Sequence, residues 1–156
     1  MLRRRQLRRR SAAFTLVEML IVASCLAIIA GLVVPQVEYA IDDANHSAML
    51  ADLHELTTAV ERYRLEHGGQ SPELVNNSLP QLSQPTNSDG DIGQGAQFAF
   101  GPYLTRGVPT NPINGSAGVY YSAVSPPANL ESRIGWVYHT ETGQIWGGLS
   151  KQRGGN

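Results

Sequence analysis

The sequence predicts an α+β chain: a long N-terminal helix with a membrane-spanning first half, a loop-rich middle, and a small C-terminal antiparallel β-sheet. Three observations carry that expectation. Phe14–Val34 reads FTLVEMLIVASCLAIIAGLVV, apolar except for Thr15, Glu18 and Ser24. From Gln36 to His67 there is no Pro or Gly, and Met49, Leu53, Leu56, Val60 and Tyr63 recur at steps of three and four, the spacing of one helix face. After Gly118 come three short runs rich in β-branched and aromatic residues, the last two joined by a Gly-containing turn.

The basic start comes first. Arg3, Arg4, Arg5, Arg8, Arg9 and Arg10 precede the apolar run, with no acid among them, and Ser11-Ala12-Ala13 forms a small-residue step. At 1.5 Å per residue the twenty-one residues of Phe14–Val34 make a helix of roughly 31 Å, enough for a bilayer core of about 30 Å. The arginines place the N-terminus on the cytoplasmic side and everything after Val34 across the membrane. Formal net charge is −1, from 12 basic and 13 acidic residues. Without the six leader arginines the balance is 6 against 13, or −7, so the basic end is a topology signal and no nucleic-acid partner is expected. Cys25 is the only cysteine, which excludes an intrachain disulfide.

The helix is expected to continue from Gln36 to His67, bent at Pro35 because proline removes one backbone donor and crowds the preceding turn. Glu61–Arg64 and Arg62–Glu66 are spaced for pairing along it, and Gly68-Gly69 end it. Phe14–His67 would measure roughly 80 Å. Residues 70–118 are dense in Pro, Gly, Asn, Ser and Gln, which predicts loops, with one brief helix near Leu79–Leu82. Strands are expected at Val119–Val124, Ile134–His139 and Gln144–Gly147. Trp136, Tyr138, Ile145 and Trp146 would supply their packed face. The domain plan is thus 1–13 as a removable leader, 14–35 as the membrane half of the helix, and 36–156 as a globular domain with helix 36–67, loops 70–118 and sheet 119–148.

One carboxylate in an otherwise apolar helix is the chemical anomaly. A charge at a membrane helix centre costs on the order of 2.5–3.5 kcal/mol, less near an end, and normally has a partner. No Lys or Arg lies in Phe14–Val34. Were the chain cut before Phe14, as its resemblance to a known processing motif implies, the new α-amine would titrate near ~7.7–8. Staggered subunits could then pair Glu18 of one with the Phe14 amine of the next, a contact that sets register more than it adds stability. Snorkelling of Glu18 to the headgroups is the blander role.

Ala13-Phe14-Thr15-Leu16-Val17-Glu18-Met19-Leu20 resembles the cleavage and methylation motif of type IV pilins and type II secretion pseudopilins. The resemblance implies a pilin-like fold, a prepilin peptidase cut between Ala13 and Phe14, N-methylation of Phe14, and Glu18 as the filament-assembly residue. Pro35 matches a helix proline common in the family. Ala13 departs from it, standing where Gly is usual. YRLEHGGQSPE and VPTNP further resemble major, G-type pseudopilins. The implied partners are copies of the same chain, other pseudopilins, the prepilin peptidase, an assembly ATPase with its inner-membrane platform, and membrane lipid. The globular part would be periplasmic. A type IV or competence pilin is the near alternative; a membrane-anchored periplasmic binding domain or lipoprotein is the distant one. For the last, Val22-Ala23-Ser24-Cys25 fits a lipobox, but Glu18 interrupts the preceding core and Leu26–Val34 continues apolar after the cysteine. Arg9-Arg10 fits twin-arginine export poorly in its flanking residues.

No catalytic set emerges, and no enzyme activity is expected. His54-Glu55-Leu56-Thr57-Thr58 begins like HExxH but has Thr58 in place of the second histidine. His46, His67 and His139 lack ligand-spaced companions. Asn87, Asp89 and Asp91 alternate like a calcium loop, yet Ile92 stands at the glycine position and Phe98 at the closing glutamate. Some major pseudopilins bind calcium near the C-terminus; here the last 25 residues hold one acid, Glu141, so no cofactor is expected. Gly93-Gln94-Gly95 is too short for a phosphate loop, and Asn114–Gly118 lacks nucleophile-elbow spacing.

Overall fold

A computed structural model describes residues 14–127, 130 and 134–149; the leader 1–13, including Ala13, lies outside the described residues. Helix α1 runs Leu16–Glu66, a short helix α2 covers Pro80–Ser83, and strands β1 (Val119–Tyr121), β2 (Trp136–His139) and β3 (Gln144–Gly147) follow. The chain divides into two compact units, one up to Ala40 and one from Ile41 onward. The architecture is α+β, with a pilin-like order of elements.

The second unit is organised on one face of α1. Met49, Leu56, Ala59, Val60 and Tyr63 are buried together with Leu79, Leu82, Leu104, Val119, Trp136, Tyr138 and Ile145, and Leu53 packs against that cluster. The 3–4 spacing thus selects the buried face, and Glu55, Glu61 and Arg62 stay exposed. The helix stops where Gly68 and Gly69 take φ +64° and +89°. The Gly69 N–H donates to the Arg64 carbonyl at 2.7 Å, the closing bond of a Schellman turn. Neither expected ion pair carries this end. Arg64 donates to the carbonyls of Gly69 (3.3 Å) and Thr142, and Glu66 accepts the Tyr103 hydroxyl at 2.5 Å. The loop region supplies core as well as surface: α2 begins at Pro80, a residue suited to a first helical turn, and Leu79 and Leu82 are fully buried.

The sheet departs from the expected pattern in one pairing. β2 and β3 are antiparallel, with Tyr138 opposite Ile145 and Trp136 opposite Gly147. β1 lies beside β2 in parallel, Val119 opposite Trp136, so the sheet is mixed rather than wholly antiparallel. Parallel neighbours need a crossover of a dozen or more residues, and 122–135 provides it. β1 is shorter than the expected Val119–Val124 because the Ser122 hydroxyl turns the chain, donating to the Val124 carbonyl at 2.7 Å, and two prolines follow. β2 starts at Trp136, not Ile134; the Gly135 carbonyl before it still accepts the Gly148 N–H at 2.9 Å, and side-chain amides reach both earlier carbonyls. Asn114 Nδ2 donates to Ile134 O at 2.7 Å and Asn111 Nδ2 to Gly135 O at 2.8 Å. The register also corrects the packed face. Trp146 pairs with Val137, and strand side chains alternate, so Trp146 lies on the face opposite Trp136, Tyr138 and Ile145.

Asn111 joins three segments from a fully buried position. Its Nδ2 also donates to Gly148 O at 2.8 Å, and its Oδ1 accepts the Ile113 N–H at 2.9 Å. Asn111→Ala strands these groups away from water, and an unsatisfied buried group costs about 1–3 kcal/mol. We expect a loss of about 2 kcal/mol by urea denaturation; an unchanged midpoint would show that water replaces the amide.

Candidate functional site

In the first unit, the start of α1 is built by Thr15. Its Oγ1 accepts the Glu18 N–H at 3.2 Å and its carbonyl accepts the Met19 N–H at 3.2 Å. Thr15 is therefore the N-cap and Glu18 the third helical residue, the S/T-x-x-E arrangement of a capping box. The four-residue signature Thr15-Leu16-Val17-Glu18 is the sequence signal for this cap, and the bond it forms runs from the Glu18 backbone. A carboxylate in the first turn also suits the positive end of the helix dipole.

Around that turn the surface is apolar and uncovered. Phe14 is 72% exposed, and Leu16, Val17, Met19, Leu20, Ile21, Leu26, Ile28, Ile29, Leu32 and Val34 are all exposed. No residue of the most apolar window of α1 is buried, and the helix is long and apolar enough to cross a membrane. Polar groups inside it are dealt with internally or lie near the end: the Ser24 hydroxyl donates to the Leu20 carbonyl at 2.8 Å. Glu18 and Cys25 are both exposed. Pro35 lies within α1.

The remaining sequence candidates take structural positions. His54 and His46 are exposed. His67 is buried and extends the apolar stripe: its ring stacks on Tyr63 at 3.9 Å, Nδ1 faces the Tyr63 carbonyl at 2.8 Å, and Nε2 faces the Asn87 carbonyl at 2.9 Å and Thr86 Oγ1 at 3.1 Å. It ties the end of α1 to the following loop. In that loop Asn87 Oδ1 accepts the N–H groups of Asp89 (3.0 Å) and Asp91 (2.8 Å), while its Nδ2 donates to Asp91 Oδ2 at 3.0 Å. Asn87, Asp89 and Asp91 therefore shape a turn. Among the described residues, no group of three His, Cys, Asp or Glu side chains is arranged to hold a metal ion.

Three tyrosines of the globular unit have raised hydroxyl pKa values. Burial pushes the Tyr138 hydroxyl up from 10.0 to about 12, and that hydroxyl donates to the Pro72 carbonyl at 3.1 Å. Burial also raises Tyr63, aided by Glu73, and raises Tyr103, aided by its bond to Glu66. A tyrosine whose folded value exceeds its unfolded one stabilises fully below the unfolded value and loses that contribution as pH rises. Stability should therefore hold up to the ordinary value of 10.0 and fall between there and about 12. Urea midpoints across that range test this, and Tyr138→Phe should flatten the alkaline slope.

Comparison with known proteins returns the same N-terminal segment. Neither a curated protein nor a solved structure matches the chain. Residues 8–34 match the family model described as the prokaryotic N-terminal methylation motif, which supports a type IV pilin-like protein.

Proposed function

We propose that the chain is a pseudopilin, the major G-type subunit of a type II secretion filament. In this reading a prepilin peptidase cuts between Ala13 and Phe14 and methylates the Phe14 amine. Mature subunits reside in the inner membrane with the globular unit in the periplasm, and polymerise through Glu18. The filament then drives cargo outward with an assembly ATPase, its membrane platform and sister pseudopilins. The subunit works by assembly, and the reading needs no catalysis or cofactor.

The observation that carries it is the methylation-motif match laid on an uncovered apolar helix with a single carboxylate in its first turn. Pro35 is assigned the bend between membrane and globular halves of the helix. A type IV or competence pilin shares all of this. The single cysteine favours the secretion reading, since many type IV pilins close a C-terminal loop with a disulfide and this chain has no second thiol.

Mass spectrometry of the membrane-extracted protein tests the processing. The expected N-terminus is N-methyl-Phe14, and Ala13→Leu should leave the precursor uncut, because a bulky side chain no longer fits beside the scissile bond. An acylated Cys25 terminus would establish a lipoprotein instead.

A further inference from the structure

Beyond the apolar span, α1 carries further uncovered apolar side chains at Val37, Tyr39, Ile41, Leu50 and Leu65, and the first two belong to the same unit as the span. Val37 is 49% and Tyr39 76% exposed, in the unit that ends at Ala40. Two residues apart on a helix, they point about 200° from one another. A single docked protein surface covers one side of a helix; a lipid layer surrounds it. Glu38 between them is exposed, and Asp42-Asp43 follow in sequence, so polar charge begins where the apolar run ends. Tyrosine combines an apolar ring with a polar tip and concentrates at headgroup depth.

We propose that Val37 and Tyr39 sit in the headgroup layer of the far leaflet, with Tyr39 as the anchor that sets how deeply the unassembled subunit is immersed. The dimensions agree. From Leu16 to Tyr39 is twenty-four residues, ~36 Å of helix, against a hydrocarbon core of ~30 Å and a full thickness of ~40–45 Å. With Leu16 at the near boundary, Tyr39 lies ~6 Å past the core, among headgroups. The immersed segment thus extends past Pro35 and stops at the first acidic cluster. This inference rests on the membrane-spanning reading of α1.

The test uses the full chain with Cys25→Ser, which removes the native thiol, in phosphatidylethanolamine–phosphatidylglycerol vesicles. Nitroxides on Ile29→Cys, Val37→Cys and His46→Cys report depth through their relative accessibility to oxygen and to a water-soluble nickel chelate. Ile29 should read as hydrocarbon, His46 as water, and Val37 between them. Tyr39→Trp should leave the Val37 reading in place, and Tyr39→Asp should move it toward water. A Val37 label as accessible to nickel as the His46 label, or one unmoved by Tyr39→Asp, overturns the anchor. So does a Val37 label immobilised only at high protein-to-lipid ratio, since a second copy would then be the cover. If Ile29 itself reads as water, the membrane-spanning reading fails, and this inference fails with it.

Discussion

Leu56→Ala should destabilise the globular unit by about 2–5 kcal/mol, the range for removing a fully buried leucine side chain and leaving part of the space empty. Leu56 is 0% exposed and lies in the apolar cluster that contains Val60, Tyr63, Trp136 and Tyr138. The adjacent Glu55 is exposed, so Glu55→Ala should change stability by no more than about 0.5 kcal/mol. The pair isolates the helix phase, because the two positions are neighbours in sequence and about 100° apart around the axis. Urea denaturation of the full chain in detergent, followed by tryptophan fluorescence, gives both values. Equal losses at the two positions would mean that burial of this face does not hold the unit together.

That face could be read from the sequence because helix periodicity is local. The Met49–Tyr63 stripe needs only the 3.6-residue repeat, and its buried continuation at His67, four residues after Tyr63, obeys the same rule. Histidine is polar enough to read as a ligand candidate, and only its position on the stripe signals that it is buried. The Gly68-Gly69 stop and the His139–Gln144 hairpin are equally local, since each needs only a turn with positive φ, as at Gly143. What the sequence could not display is non-local. Asn111 finds its partners at Gly135 and Gly148, 24 and 37 residues away, and nothing within a few residues of Asn111 announces them. The parallel seating of β1 on β2 is likewise a pairing of distant residues, Val119 with Trp136, which local alternation does not encode. Trp146 departs from expectation for a different reason: strict alternation forbids Ile145 and Trp146 from sharing a face, whatever their aromatic or apolar character.

The same local reasoning recovers the N-terminal segment, where a single substitution separates the capping bond of Glu18 from the assembly role proposed for its carboxylate. As the third helical residue, its N–H completes the Thr15 cap, and that bond uses the backbone, so it survives any side-chain change. The carboxylate is different: it is exposed at the edge of an apolar helix and finds no cation in its own span. Glu18→Val should therefore keep α1 and insert at least as well, since a costly group has left the membrane. Assembly should fail. Removing one member of a buried charge pair costs about 3–5 kcal/mol, and each 1.4 kcal/mol is about tenfold in affinity. Every subunit contact would thus weaken by at least about a hundredfold, enough to suppress a polymer in which the contact repeats. The measurement is sheared-filament yield beside membrane-bound monomer after overexpression. The expected result is wild-type monomer with filaments below detection. Wild-type filament yield from Glu18→Val would remove the carboxylate from the assembly contact.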